Sequence, residues 1–387
     1  MFLPFFNESI SMKHLLSLCI AHFLLAAMLA VPAVYADDSL KSPVTATVYH
    51  VDPARGDDKA DGSVEKPFKT IERALPLLHG KGGEIRLAPG SLINESVRVI
   101  RKSGLPESPI VIDGRDSVIN LGTDITAGPW TPLEEGYRYE KEVPEHKTKY
   151  GTSVVFVNGW PLFHDAPNGK SRRAWHGGFV RYDEAGKLIV VFPKGLHPNN
   201  AVVVLTGKTD QHSGLLVNGS SHVLVKNLTA VFAGNDGFNF HGEGDHFRLE
   251  NVTGLFCGDE GTSSHETYQV DIVDSEFAFC GSVDGGIVDV NDSETTYKNV
   301  RVHQNRGPAF KLVGKKHTVE RCIGYGNFGG NTPKPSEKVT AIDCTDQGDV
   351  KEDQAMPVYS NQSIPASKND IKESDRMTRF LFYRPGA

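Results

Sequence analysis

Acids, glycines and histidines recur at one spacing near the middle of the chain. Asp236 and the glycine after it return as Glu260 and a second glycine, 24 residues later. His241 returns as His265 at the same spacing of 24 residues. Carboxylates and imidazoles are the side chains that most often transfer protons in enzymes. If the chain stacks these repeats, it places several acid/base groups at neighbouring positions on one surface.

Further segments aligned on the same glycines extend both columns. The predicted catalytic residues are the acids and histidines of these columns: Asp236, His241, Asp259, Glu260, His265, Asp284 and Asp289. Carboxylates about 5 Å apart suit retaining glycosidases, and larger separations suit inverting ones. Because stacked carboxylates cannot all ionise, we expect one to keep its proton near neutral pH and serve as a general acid. His265 beside Asp289 would be a base with an orienting carboxylate.

Five other residues are candidates for binding a substrate. Asn239 lies between the two columns, and Arg306 and Lys311 follow the last acid of the repeat. These two cations could bind a carboxylate or sulfate group of a sugar, or neutralise charge during a reaction. Trp130 and Trp175 could stack on sugar rings, because tryptophan has a large apolar face and a polar edge, or they could form a small core of their own segment.

The sequence contains no firm metal signature, and no cofactor is firmly predicted. Calcium could bind at Asp236, Asp259, Glu260 or Asp284, since a hard cation takes several oxygen ligands, but no EF-hand-like loop accompanies them. The spacing of cysteine and histidine does not form a zinc motif.

The repeats indicate a parallel β-solenoid. Five segments share a period near 23 and begin at residues 214, 237, 261, 285 and 309. Each contains short alternating apolar runs, such as "VLVKNLTAVF", and none has room for a covering helix. Equivalent residues of a stacked solenoid lie about 4.8 Å apart along its axis. We therefore expect Asn227, Asn251 and Asn299 to stack in one column, and Phe238 and Phe240 to point inward.

The chain resembles the pectin-lyase-type right-handed parallel β-helix family. The stretch "YHVDPARGDDKADGSVEKPFKTIERALPLLHGKGGEIRLAPG" is similar to the first strand, turn and capping helix of that family, and the likeness covers roughly residues 49–122 and 213–346. It implies an all-β, single-stranded right-handed parallel β-helix with an N-terminal capping helix. Polysaccharide lyases, glycoside hydrolases, epimerases, esterases and adhesins share this fold, so the fold does not decide the function.

A second resemblance concerns the acids. Polygalacturonase-type hydrolases of this fold carry N-x-D, D-D, G-H-G and R-x-K motifs on successive coils. Asn235-Asp236-Gly237 stands at the place of the first motif, and Asp259-Glu260 stands at the place of the second. Asp284 stands where the third is expected, but its histidine is missing, and four residues rather than one separate Arg306 from Lys311. The resemblance implies catalytic acids at the matched positions.

Five regions are predicted along the chain. A basic residue, an apolar run and small residues before Asp37 indicate a secretory signal peptide, so we expect a secreted protein, periplasmic or extracellular. Residues 123–210 break the period, hold all three tryptophans and are expected to form a wall near the acidic face. The predicted regions are 1–36 signal peptide, 37–122 N-terminal cap and first coils, 123–210 β-rich insertion, 211–346 regular coils, and 347–387 C-terminal tail or cap.

The composition of the chain limits which binding partners are expected. The chain has 387 residues, 39% of them hydrophobic, and a net charge of −7, which does not favour binding to nucleic acid. After the N-terminal segment no stretch is apolar enough to cross a membrane, and a monomer is expected. Four cysteines fall in pairs on adjacent coils, where disulfides and a buried ladder of small hydrophobic residues are both open: Cys257 with Cys280, and Cys322 with Cys344.

These observations favour a secreted enzyme that cleaves a polysaccharide or oligosaccharide. Glycoside hydrolysis by paired acids is the leading hypothesis. The alternatives are a polysaccharide lyase that acts by β-elimination on a uronate-containing polysaccharide, and a non-catalytic carbohydrate-binding or surface-structure solenoid. The sequence does not name the sugar or the linkage.

Overall fold

A computed structural model describes most of the chain after residue 46. The described residues are 47–133, 137–143, 154–157, 160–162, 179–183, 186–192, 196–199, 201–207 and 213–348. The predicted signal peptide, nearly all of the predicted C-terminal tail, and Trp175 lie outside them. Within the described part, no helix has the length and apolar character needed to cross a membrane.

The strands carry nearly all of the regular structure. Numbered in chain order, they are β1 (Val48–Val51), β2 (Gly83–Leu87), β3 (Leu92–Ile93), β4 (Val97–Ile100), β5 (Ile110–Asn120), β6 (Thr123–Asp124), β7 (Thr131–Pro132), β8 (Arg138–Lys141), β9 (Val155–Val157), β10 (Trp160–Leu162), β11 (Phe179–Tyr182), β12 (Leu188–Val191), β13 (Val203–Leu205), β14 (Leu215–Asn218), β15 (Val223–Val231), β16 (Phe238–His241), β17 (Phe247–Leu255), β18 (Thr262–Ser264), β19 (Gln269–Val273), β20 (Glu276–Ala278), β21 (Ile287–Asp289), β22 (Glu294–Lys298), β23 (Arg301–His303), β24 (Phe310–Leu312), β25 (Lys316–Glu320), β26 (Ile323–Tyr325), β27 (Val339–Ile342) and β28 (Thr345–Asp346).

One α-helix, α1 (Ile71–Leu78), occurs in the described part. Thr70 caps it, because its hydroxyl oxygen accepts a hydrogen bond from the backbone N–H of Arg73 at 3.2 Å. Its buried face, which includes Ile71 and Leu78, packs into the same core as the first coils. The predicted capping helix is therefore present, and it starts at Ile71 because the cap residue precedes it.

Two parallel sheets build the solenoid. A fourteen-stranded sheet has β1-β2-β5-β15-β17-β19-β22-β25-β27 as its main path, and a six-stranded sheet runs β24-β21-β18-β16-β14-β4. Each strand of the second sheet pairs with the strand one coil away, as Phe238 does with Leu215 and with Thr262. The predicted parallel β-helix is confirmed.

The interior follows the predicted alternation. Phe238 and Phe240 are fully buried in the main core, whereas His241 is partly exposed. Asn239 shares its position with Leu216 on one side and Ser263 on the other. Residues 98, 216, 239, 263, 288 and 311 therefore form one outward column along the axis, which we call the outer column.

A polar ladder occupies one corner of each coil. Asn227, Asn251 and Asn299 all have left-handed backbones, with φ of 54°, 50° and 55°, a conformation that asparagine tolerates well. The amide of Asn251 donates to Asn227 at 2.8 Å, and that of Asn299 donates to Asp274 at 2.7 Å. The predicted asparagine column is confirmed, with Asp274 as the member between Asn251 and Asn299.

The insertion has its own antiparallel sheets and packs on the solenoid. Strands β10-β9-β13-β6 and β11-β12-β8-β7 form the two sheets. Phe156 of β9 lies between Phe232 and Phe256 of the coils, at ring-centroid distances of 5.1 and 4.8 Å. A methyl group built on Gly281 would lie 2.5 Å from a side-chain carbon of Val154. The described insertion therefore packs against the coils at Phe232, Phe256 and Gly281.

The register slips by one residue before β21. Ile287 pairs with Thr262 and Asp289 pairs with Ser264, so Val290, not Asp289, follows His265 along the axis. The prediction that Asp289 points outward beside His265 is wrong. The cause is one extra residue in this coil, which makes Gly286 rather than Gly285 the partner of Gly261.

Asp289 instead holds together a polar network inside the solenoid. It is fully buried and accepts hydrogen bonds from Thr295 at 2.7 Å, Tyr297 at 2.8 Å and the Ser264 N–H at 3.1 Å. Burial raises its pKa to about 6, although these hydrogen bonds oppose the shift. His317, whose Nδ1 lies 3.6 Å from its carboxylate, has a pKa lowered to about 4 by burial.

Replacing Asp289 should therefore affect stability strongly. Asp289→Ala leaves three buried donors without their acceptor, and we expect a loss of about 3 kcal/mol in the free energy of unfolding. Asp284→Ala, at an exposed position of the same coil, should cost less than about 1 kcal/mol. Denaturant unfolding of both variants measures the difference. Equal losses would contradict the interior role of Asp289.

Candidate active site

Three carboxylates meet where two coils enter the six-stranded sheet. Asp236 precedes β16, and Asp259 and Glu260 precede β18. The Gly237 N–H donates to the Glu260 carbonyl at 3.0 Å, so the two coils stack directly at this point. One carboxylate oxygen from each residue lies within 4.8 Å of the other two. We call Asp236, Asp259 and Glu260 the carboxylate trio.

Hydrogen bonds hold Asp236 as an acceptor. The Glu260 backbone N–H donates to its Oδ1 at 3.0 Å, and the Ser263 hydroxyl donates to its Oδ2 at 2.6 Å. Ser263 belongs to the outer column, so the side chain of Asp236 turns away from the core, as expected from the glycine that follows it. Each oxygen of Asp236 therefore accepts at least one hydrogen bond from the next coil.

The other two acids have raised pKa values. Burial, followed by the negative charge of Asp236, raises the pKa of Asp259 to about 6. The same two causes, with the charge of Asp259 added, hold the pKa of Glu260 well above its usual range. Asp236 is 2% exposed and Glu260 is 7% exposed, whereas Asp259 is half-buried. Asp259 is therefore the proton-carrying member of the trio that solvent reaches most easily.

The two predicted histidines do lie on one face. The rings of His241 and His265 stack with centroids 4.3 Å apart and planes 12° from parallel. Nε2 of His265 lies 3.2 Å from the Ser263 hydroxyl oxygen. Because that hydroxyl donates to Asp236, its oxygen must accept from His265, which fixes the proton of neutral His265 on Nε2.

Burial and a neighbouring ring act on His265, and a carboxylate contacts His241. Burial, and then the proximity of His241, lowers the pKa of His265, so this ring is neutral at pH 7. Nδ1 of His241 lies 3.2 Å from Glu266 Oε2, which also accepts the Gly242 N–H at 2.8 Å. Ser263 thus connects the histidine pair to the carboxylate trio.

The predicted cations lie at the edge of this cluster. Lys311 Nζ is 2.9 Å from Asp284 Oδ2, and both side chains are substantially exposed. Lys311 occupies the outer column two coils beyond Ser263. Arg306 donates to the Gly281 carbonyl at 3.4 Å, next to Ser282. The structure thus brings every predicted catalytic residue except Asp289 to one side of the solenoid.

Asn239 is buried at this surface. It is 3% exposed, and its Oδ1 has no hydrogen-bond partner among the described residues. A buried acceptor without a donor is costly, and a bound molecule would reach this atom only if the side chain turned outward.

The structure places Trp130 in the insertion core and not in the acid–histidine cluster. Its ring packs edge-on against Phe192 at 5.7 Å, and Lys141 Nζ lies 5.0 Å from the ring centroid. This corresponds to the alternative in which the tryptophans form a core of their own segment. The side chain of Trp160 and the whole of Trp175 lie outside the described residues.

Two serines complete the cluster and were not predicted as site residues. Ser263 bridges Asp236 and His265, and Ser282 donates a short hydrogen bond to Glu260 Oε1. The alignment of Ser263 with Asn239 was the available signal for the first. Ser282 has no such signal, because its contact depends on the path of a turn.

The carboxylate trio could also hold a hard cation. Three carboxylates with two nearby hydroxyls offer the oxygen ligands that calcium takes.

All four cysteines in the described residues are free thiols, with Cys257 and Cys280 in the buried turn beside the trio.

Comparison with known proteins gives structural likenesses only. No protein-family model and no curated protein matches this sequence. Solved structures that match include a complex of XylC with xylose, at 14% identity and a TM-score of 0.43, covering 78% of this chain and 68% of that one. A GH136 lacto-N-biosidase from Eubacterium ramulus matches at 11% identity and a TM-score of 0.34, covering 78% of this chain and 55% of that one. A rhamnogalacturonan lyase matches at 12% identity and a TM-score of 0.34, covering 79% and 62%.

Proposed function

We propose that this protein is a glycoside hydrolase that cleaves a polysaccharide with the carboxylate trio. The observation that carries the proposal is the close packing of three carboxylates, two of which have raised pKa values while the third is held as an acceptor. Glycoside hydrolysis requires this division, with a protonated acid for the leaving oxygen and an ionised carboxylate on the other side of the bond.

Each residue has a proposed role. Asp259 is the general acid, because it keeps its proton to about pH 6 and is the most accessible of the three. Asp236 is the ionised partner, acting as nucleophile or as the base that activates water. Glu260 carries a proton that Asp236 and Asp259 share with it, and neutral His265 positions Asp236 through Ser263.

The substrate is proposed to be a chain of sugars that lies along the solenoid axis. A cavity of about 640 Å³ lies at the N-terminal coils and is lined by Glu72, Glu95 and Arg98 among others. Arg98 belongs to the outer column that also contains Asn239 and Ser263. Lys311, at the other end, and Arg98 would bind acidic groups of the sugar.

A metal-dependent lyase is the second candidate. The trio could hold calcium against a uronate carboxylate, and a neutral histidine or Lys311 could then remove a proton from the sugar. Action outside the cytoplasm is part of both proposals, and it rests on the N-terminal apolar segment of the sequence.

Product analysis on a panel of plant and algal polysaccharides tests these proposals. We expect new reducing ends without an unsaturated product. A product that absorbs in the ultraviolet, formed only with calcium, would identify the lyase. Binding without either product would favour a non-catalytic carbohydrate-binding solenoid. The control is Asp259→Asn, which should release reducing ends about a thousandfold more slowly from any substrate that the unaltered protein cleaves.

A further inference from the structure

Two histidines stack at a corner of the solenoid away from the carboxylate trio. His222 precedes β15 and His246 precedes β17, one coil apart. Their ring centroids are 4.8 Å apart and their planes are 27° from parallel. Nothing in the proposed hydrolysis uses either ring.

A carboxylate completes the group. Asp245 Oδ1 lies 3.4 Å from His246 Nδ1. One ligand atom from each of His222, Asp245 and His246 lies within 4.8 Å of the other two. The Asp245 backbone N–H donates to the Ser221 hydroxyl at 3.1 Å, which fixes the loop beneath them. We call these three residues the corner site.

The corner site contains a nitrogen that lacks a partner. His222 Nδ1 is inaccessible to solvent and makes no hydrogen bond to any described residue. A buried imidazole nitrogen with no partner is unfavourable, so the ring of His222 has ligand capacity that no described residue uses. This observation is independent of the spacing of the three residues.

The geometry points to a site for a divalent transition metal, with zinc as its best representative. Two imidazoles and one carboxylate are ligands for zinc and its neighbours, whereas calcium prefers oxygen ligands alone. Zinc bonds of about 2 Å place ligand atoms at most about 4 Å apart, so the atoms must approach one another. Because the lone pair of a ring nitrogen lies in the ring plane, one of the stacked rings must also rotate until the two lone pairs converge. The His246 side chain is 61% exposed, which leaves it free to make that rotation. The ion would join the coil of β15 to the coil of β17 and leave at least one coordination position for water.

Metal binding can be measured without any enzyme assay. Full-length protein, freed of metal and lacking a histidine tag, is titrated with Zn²⁺ by calorimetry, and with Co²⁺ by visible absorption. We expect one ion per chain, tetrahedral cobalt bands, and a higher melting temperature with zinc. His222→Asn, His246→Asn and Asp245→Asn should each weaken binding by more than roughly tenfold.

The variants are chosen to keep the fold. His222 and His246 have left-handed backbones, with φ of 54° and 49°, and asparagine accepts this conformation readily. Melting temperatures without metal check that each variant is folded. Asp271→Asn, an exposed acid on the next coil, is the matched control and should bind zinc like the unaltered protein.

Two results would overturn the inference. One is the absence of a bound ion at millimolar Zn²⁺ in folded protein. The other is binding that survives His246→Asn and is lost in Asp259→Asn, which would move the ion to the carboxylate trio. The first result leaves the proposed hydrolysis untouched, and the second would place an ion in the carboxylate trio. Product analysis measures hydrolysis separately in both cases.

Discussion

Asp259→Asn should reduce turnover by about a thousandfold, within the 10²–10⁴ range of general acid catalysis. The substitution keeps the shape of the side chain and removes the only proton that this position can deliver. Reducing-end assays on whichever polysaccharide the unaltered protein degrades measure the effect. Retention of more than about a tenth of the turnover would rule out Asp259 as the general acid.

The same substitution should stabilise the protein at alkaline pH. The folded protein raises the pKa of Asp259 from 3.8 to about 6, so the folded state binds the proton more tightly than the unfolded chain does. The contribution of protonated Asp259 to the free energy of unfolding is complete below the pKa of the unfolded chain and is lost as the pH rises through about 6. Asparagine has no charge to bury. The free energy of unfolding of the variant should therefore be higher by on the order of 1–2 kcal/mol at about pH 8 and little changed at about pH 4.

Asp284→Asn is the matched control for this pair of effects. Asp284 lies one coil further along, is 55% exposed and forms an ion pair with Lys311. The charge of Asp284 is the smallest of five causes that act on the pKa of Asp259, so its replacement should change the pH dependence of the melting temperature far less than Asp259→Asn does. A variant of Asp259 that loses activity and stability together would indicate a structural role instead.

The fold could be predicted because its cause is periodic. Every coil buries the same strand positions, and its chain turns at a corner residue with a left-handed backbone. The period therefore appears in the sequence as recurring phenylalanines and asparagines. Asn227 and Asn251, 24 residues apart, are hydrogen-bonded to each other at 2.8 Å. Phe238 and Phe240 are inward for the same reason.

The site could be predicted only where the period is regular. The coils of His241 and His265 contain no extra residue between them, and their rings are stacked as expected. The following coil has two consecutive glycines, Gly285 and Gly286, and either could be aligned with Gly261. The sequence gives no reason to choose the second, and a slip of one residue turns a side chain to the opposite face. Alignment on Gly285 therefore predicts an outward Asp289, although this residue is buried.

Contacts that depend on turns and on the insertion could not be predicted from the repeat. Ser282 reaches Glu260 through the path of a turn, and Phe156 reaches the coils from a segment with a different architecture. The direction in which a side chain leaves a turn is set by local backbone angles. These angles do not repeat from coil to coil, so the sequence period does not predict them. The same limit explains why Trp130 could be assigned either to the substrate or to a core.

Asp236→Asn should reduce turnover by about a hundredfold or more and should also move the pH dependence of what remains. The charge of Asp236 is the second largest cause, after burial, of the raised pKa values of Asp259 and Glu260. Removing it should lower both values, by about one unit for a close carboxylate. If Asp259 must be protonated to act, the alkaline limb of the kcat/KM profile then moves to lower pH.

Melting temperatures measured from about pH 4 to about pH 8 give a second readout that needs no activity. In the unaltered protein, the stability that depends on the protons of Asp259 and Glu260 is lost as these acids ionise, and in Asp236→Asn this loss should begin at lower pH. Ser263→Ala is the matched control, because it removes the 2.6 Å hydrogen bond to Asp236 and keeps the charge. In Ser263→Ala the melting temperature should fall at nearly the same pH as in the unaltered protein. If Asp236→Asn and Ser263→Ala behave alike, the three acids do not share protons, and the division of roles among them would have to be abandoned.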